Sequence, residues 1–258
     1  MDDAQHMHIG VVSLFPEMIE AGARWGVTGR ALDGERARLE CVNPRRFTDD
    51  VHNTVDDRPY GGGPGMVLKP EPVARAIAAA RAAAPDGARV VFLSPQGRVF
   101  DQACAAELAA LPGLILVCGR YEGFDERLVH SEADLELSLG DFVISGGELG
   151  ALVVADAVLR LLPGVLGHPA SAEQDSFAEQ RLDCPHYTRP EVYAGRAVPA
   201  VLLSGDHAAI RRWRRQQSVV RTRERRPDLL ERRPLSDEEQ ELLREHRSAA
   251  GLPSLTGD

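Results

Sequence analysis

Leu114-Ile115-Leu116-Val117-Cys118-Gly119-Arg120-Tyr121-Glu122-Gly123 decides the fold class of this chain. An apolar run that ends in a glycine reads as a buried strand entering a loop. A second stretch, Leu139-Gly140-Asp141-Phe142-Val143-Ile144-Ser145-Gly146-Gly147-Glu148-Leu149, reads the same way. Open α/β sheets place their ligands in loops at the carboxyl ends of strands. Glycine lets the main chain approach a flat ligand, because no Cβ intervenes. Two such loops side by side suit a nucleotide-like cofactor held by main-chain groups.

Strands and helices alternate around these segments. His8 to Pro16 reads as a first strand closed by proline, and residues 17–32 have helical spacing. An Ala-rich helix over 71–84 precedes a strand from Arg89 to Leu93, with Ser94-Pro95-Gln96-Gly97 as its turn. Asp101 caps a helix running to Ala110, and residues 148–162 are helical again. Alternation over residues 8–162 predicts an α/β domain with a mainly parallel sheet. Residues 48–70 are irregular and contain Tyr60-Gly61-Gly62-Gly63-Pro64-Gly65-Met66. So long a loop in a compact domain is usually functional or disordered. From Pro163 to Glu179 apolar anchors thin out, as in an exposed linker. Helices are expected at about 206–220 and 236–248, the latter with a Ser236/Glu239 capping box. The expected organisation is a domain over 1–165, a flexible linker over 166–179 and a small helical C-terminal domain over 180–258.

The 258 residues, 43% hydrophobic, suffice for one large or two modest cores. No apolar run approaches a membrane span, and the acidic, polar start is unlike a signal peptide. Cys41, Cys104, Cys118 and Cys184 lack paired spacing, so a reduced, cytoplasmic protein is expected. The net charge of −9 speaks against a nucleic-acid partner, but its distribution does not. From Arg211 to Arg233 there are ten arginines against three acids, a local balance of +7. That block is either a face for a polyanion or a solvated helix in an arginine-rich chain, and composition leaves the two even.

Several chemistries are excluded. Lys69 is the only lysine and precedes a proline, so there is no Walker lysine and little basis for a Schiff base. Gly61, Gly63 and Gly65 have a dinucleotide-like spacing but follow Asp57-Arg58-Pro59-Tyr60 in place of a strand. Ser145 is not in a nucleophile elbow. His6 and His8 read as a frayed terminus, and Cys184 with His186 stands alone, so neither pair makes a metal site. The polar candidates left beside glycine turns are Asp56, Glu122, Asp141, Glu148, Arg160 and Asp175. Taken singly, each is more often a surface charge or a helix cap than a catalyst.

Longer strings narrow the choice. Ser13-Leu14-Phe15-Pro16-Glu17-Met18, Thr54 to Met66, Leu93-Ser94-Pro95-Gln96-Gly97, Cys118 to Gly123 and Leu182-Asp183-Cys184-Pro185-His186-Tyr187-Thr188-Arg189-Pro190 together resemble the bacterial tRNA (guanine-N1-)-methyltransferases. The resemblance runs from about Met7 to the last helix. It implies a deep trefoil knot around residues 89–150 and a homodimer whose sites draw on both subunits. It also implies methyl transfer from S-adenosylmethionine to the guanine 3′ of the anticodon, with magnesium assistance. Position by position, it assigns the cofactor to Leu93, Ser94, Pro95, Gly119, Arg120, Tyr121, Glu122, Leu139, Gly140, Asp141, Phe142, Val143, Ile144, Gly146 and Gly147. Asp175 is then the base and Arg160 the partner of guanine O6, with Glu122 near the site as a candidate metal ligand. The resemblance places Asp56, Pro64 and Gly65 against the extruded guanine. On the same reading the arginine block, with Arg211, Arg212, Arg214 and Arg215, is expected to hold tRNA phosphates. One departure stands out: the family usually has proline where this chain has Gly150. The rival readings are another knotted RNA methyltransferase and a catalytically silent RNA-binding protein of the same fold.

Overall fold

The computed structural model describes residues 6–167, 175–249 and 251. Contacts divide the chain into two compact units, Met1–Pro169 and Ala170–Asp258.

The first unit alternates strands and helices as its sequence predicts. β1 (Met7–Val12) leads to α1 (Pro16–Ala23), α2 (Gly26–Asp33) and β2 (Ala37–Val42). The short pair β3 (Asp56–Asp57) and β4 (Val67–Leu68) precedes α3 (Pro70–Ala83) and β5 (Arg89–Val99). Then follow α4 (Gln102–Ala109), β6 (Gly113–Cys118), α5 (Glu126–Glu132), β7 (Leu135–Ser138) and α6 (Glu148–Leu159). The five long strands form one sheet in the order β2-β1-β6-β5-β7, with every pairing parallel.

Strand side chains alternate between faces, and the core follows that period. Ile9, Val11, Val91, Leu93, Leu114 and Leu116 pack with α4 and α6 on one face. Val12, Val90, Phe92, Ile115 and Val117 pack with α3 and Leu128 on the other. Both faces are covered, so the central strands read as unbroken apolar runs.

Several local expectations are corrected. Residues 17–32 form two helices, with a turn at Arg24 and Trp25 between them. Pro16 opens α1, where its missing N–H costs nothing, and so does more than close β1. His8 is buried in β1 and paired with Arg38 and Gly113, so it is not frayed. β2 is an edge strand whose Arg38 and Glu40 break the apolar run that would have announced it. The strand near the second glycine segment is Leu135–Ser138, just before it. Phe142, Val143 and Ile144 are therefore exposed loop residues, Val143 at 84%. β5 resumes after its turn: Leu93 and Arg98 both pair with Leu137, so Ser94 to Gly97 loops out of the ladder.

The second unit contains the two expected helices as α7 (His207–Arg225) and α9 (Asp237–Ala249), with an unpredicted short helix α8 (Asp228–Arg232) between them. It also holds a hairpin of β8 (Val192–Tyr193) and β9 (Arg196–Ala197). Ala194 and Gly195 both have positive φ, 50° and 77°, as a two-residue hairpin turn demands. Asp206 caps α7 by accepting from the Ala208 and Ala209 amides. Ser236 and Glu239 form the reciprocal capping box of α9. The expected linker residues 168–174 lie outside the described residues.

Candidate active site

The carboxyl ends of β5, β6 and β7 open onto a cavity of about 320 Å³. Of the residues assigned to the cofactor, Leu93, Ser94, Pro95, Gly119, Arg120, Tyr121, Glu122, Leu139, Phe142, Val143, Ile144, Gly146 and Gly147 line it. Gly140 and Asp141 do not. Its walls mix apolar side chains with main-chain donors and acceptors, a combination suited to a flat heterocycle carrying polar substituents.

Main-chain bonds stitch the two glycine loops together. The Gly147 amide donates to the Gly119 carbonyl at 2.8 Å, and Arg120 bridges Gly146. A Cβ on Gly147 would stand 2.7 Å from the Cys118 Cα, so only glycine permits this approach. Tyr121, at φ 60°, adopts the left-handed region at the loop tip and is exposed. Non-glycine residues adopt that region infrequently.

The loop over 48–70 meets the same place. The Glu122 amide donates to the Met66 carbonyl at 2.9 Å, and the Leu68 amide to the Gly123 carbonyl at 2.9 Å. Gly65 stands against the Glu122 side chain. Asp56 lies in β3, paired with Leu68, and Pro64 is exposed. Glu122, Gly65 and the Tyr121 turn are thus neighbours.

Arg160 is the C-cap of α6, its amide bonded to the Asp156 carbonyl at 3.1 Å. Asp175 belongs to the second unit, in a turn where the Ala178 amide donates to its carbonyl at 3.3 Å. The arginine block divides in two. Arg212 pairs with Glu245, Arg215 with Glu179 and Glu239, Arg226 with Asp228, and Arg233 with Glu179. Among the described residues Arg211, Arg214, Arg221, Arg223 and Arg225 make no ion pair. Arg214 lines a groove with His186, Tyr187 and Arg189.

Asp183, Cys184 and His186 bring one ligand atom each within 4.8 Å of one another. However, His186 Nε2 already lies 2.7 Å from Asp183 Oδ2. Burial, with the Asp183 charge beside it, pushes the Cys184 thiol up to about 11.

The sequence alone did not single out the buried Ser13–Glu148–Arg120 cluster behind the cavity. Glu148 was legible only as a polar residue beside a glycine turn, and its partners are distant in sequence.

Gly150 also lines the cavity, as the third residue of α6. A Cβ there would meet Leu93 Cδ1 at 3.4 Å and Leu139 Cδ1 at 3.6 Å, ordinary packing distances. First-turn amides have no intrahelical acceptor to lose. On the cofactor assignment that the resemblance implies, Gly150→Pro is therefore expected to bind S-adenosylmethionine at least as tightly as the native protein. Calorimetric titration checks this, and weaker binding would refute it.

The fold and cavity define an α/β protein with a cavity of nucleoside size at the carboxyl edge of a parallel sheet. The sequence profile of the family described as tRNA (Guanine-1)-methyltransferase TrmD matches residues 7–232, and the chain belongs to that family. It is 60% identical over 246 residues to a tRNA (guanine-N(1)-)-methyltransferase of Serratia proteamaculans, covering 94% of this chain and 96% of that protein. A protein of the same description from Proteus mirabilis is 61% identical over 239 residues, covering 93% and 96%. One from Hahella chejuensis is 57% identical over 238 residues, covering 92% of each.

Proposed function

We propose that this protein transfers a methyl group from S-adenosylmethionine to N1 of the guanine at tRNA position 37, next to the anticodon. One observation carries the reading: the family match spans both units, and its glycine motifs wall the cavity of the first. The cavity suits this cofactor, since its apolar walls and the Gly119 and Gly147 main chain can flank an adenosine without side-chain obstruction. The cofactor supplies an electrophilic sulfonium methyl group.

Guanine N1 carries a proton and is a weak nucleophile at neutral pH. The Asp175 carboxylate takes that proton, and Arg160 stabilises the negative charge that develops toward O6. The target base leaves its stack to reach the cavity, and the loop with Asp56, Pro64 and Gly65 contacts it there. Magnesium assistance belongs to the same reading, with Glu122 offering the hard oxygen ligand a magnesium site requires.

The trefoil knot over residues 89–150 is supported by the path of the chain. β7 lies at one edge of the sheet, yet the following loop returns beside Gly119 and α6 packs behind the central strands. A homodimer is supported by exposed Phe15, Met18, Trp25, Leu149 and Val153 on the α1 and α6 side of the first unit. Among the described residues no helix is long and apolar enough to cross a membrane, and the reading places the enzyme in the cytoplasm with its tRNA. The first unit with the knot and the C-terminal unit divide the work, the latter holding tRNA.

Methyl transfer to two tRNA transcripts tests the function. Labelling of a transcript with guanine at position 37, and not of one with adenine there, is expected. Equal labelling would favour another knotted RNA methyltransferase. Binding without labelling would favour a silent RNA-binding protein.

The arginines without ion pairs are the expected phosphate contacts. Replacing Arg211 and Arg214 by alanine should lower the slope of log affinity against log salt by roughly 0.7–0.9 per contact. An unchanged slope in a salt titration would return those side chains to simple solvation.

A further inference from the structure

We propose that Glu148 is a positioning residue whose buried carboxylate holds Arg120 as a staple between the two cavity loops. The Glu148 side chain is 0% exposed and sits at the first position of α6. Its Oε1 accepts from Ser13 Oγ at 2.8 Å, and Ser13 Oγ in turn accepts from the Phe15 amide at 2.9 Å. Its Oε2 lies 2.9 Å from Arg120 Nη2. Arg120 Nη1 donates to the Ser145 carbonyl at 3.2 Å, and the guanidinium stacks 4.5 Å above the Phe15 ring. One carboxylate thereby ties the end of β1 and the start of α6 to both loops, 119–123 and 145–147.

The chemistry of the pair argues for more than packing. A buried carboxylate is costly without a partner, and a neutral amide would fill the same space and still accept from Ser13. What a neutral amide gives up is attraction for the guanidinium. The helix N-terminus favours the same negative charge. Gly146 has no Cβ to obstruct Arg120, whose side chain lies against it. The approach of Glu148 to Arg120 is oblique: Oε2 accepts no hydrogen bond and the buried Arg120 Nε donates none among the described residues. Unmet polar atoms are uncommon in native interiors, and two in one pair call for an explanation beyond packing. Held in place, Arg120 fixes the spacing of the loops and so the width of the cofactor cavity.

This inference rests on the proposed function only in taking S-adenosylmethionine as the cavity's ligand. The test is Glu148→Gln in the full chain, read by calorimetry with S-adenosylmethionine and by amide hydrogen exchange. The expected result is cofactor binding about tenfold weaker, equivalent to about 1.4 kcal/mol. Exchange should quicken in 119–123 and 145–147, with the sheet protected as in the native protein. Native affinity with native exchange in both loops would overturn the proposal. So would uniformly faster exchange across the sheet, the mark of a purely structural role. Should Glu148→Gln fail to fold, Ser13→Ala decides: quicker exchange in both loops supports the staple, and unchanged exchange at 145–147 refutes it. If the native protein binds no S-adenosylmethionine, the proposed function fails, and loop exchange alone judges the role of Glu148.

Discussion

Alanine at position 175 is expected to slow methyl transfer by about 10²–10⁴-fold while S-adenosylmethionine binding is unchanged. The asymmetry follows from placement. The cavity assigned to the cofactor is built wholly from the first unit, between Leu93 and Gly150, whereas Asp175 lies in the second. On the proposed role of Asp175, removing the carboxylate takes away the acceptor for the guanine N1 proton and no wall of that cavity. Single-turnover transfer to saturating tRNA, together with calorimetry, separates the two effects. Native turnover in Asp175→Ala would remove it as the base.

The second large effect concerns stability. Arg181 and Glu239 are both buried, at 3% and 1% exposure, and lie 2.9 Å apart. Arg181 also donates to the carbonyls of Gln180, Arg233 and Pro234. Glu239 accepts from the Ser236 amide and pairs with Arg215. The apolar core of this unit is small, centred on Val219, Val220 and Leu243, so the ion pair stands where a larger unit would have more carbon. Arg181→Ala leaves a buried carboxylate and several carbonyls short of partners and should cost about 3–5 kcal/mol. Urea unfolding followed by Trp213 fluorescence in a Trp25→Phe background reads the second unit alone, since each unit holds one of the two tryptophans. A loss under about 1 kcal/mol would show the pair to be dispensable.

That pair also sets a pH dependence. Burial alone would raise the Glu239 carboxyl. The Arg181 hydrogen bonds, the Ser236 amide and the charges of Arg181 and Arg215 outweigh it and hold it below the usual carboxylate value. A carboxyl lowered in the folded state stabilises above its unfolded value and loses that contribution as pH falls through the folded one. The stability gap between native protein and Arg181→Ala should therefore narrow in acid.

The sequence by itself determined much of this protein. Apolar runs such as Leu114 to Cys118 named the buried strands, because covering on both faces leaves no polar position to disguise them. Asp101 and Ser236 marked helix starts, because a cap is a bond to an amide two or three residues away. The glycine strings named the cavity loops, because close main-chain approach admits little else. β2 escaped notice because an edge strand keeps charged residues, and the second glycine segment was misplaced because Phe142 to Ile144 are apolar yet exposed. Only the tertiary structure decided which charges act together. Ser13 and Glu148 are 135 residues apart, and Arg181 and Glu239 are 58 apart. No local pattern encodes such pairs, because burial in a shared interior, not spacing along the chain, is what makes two charges depend on each other.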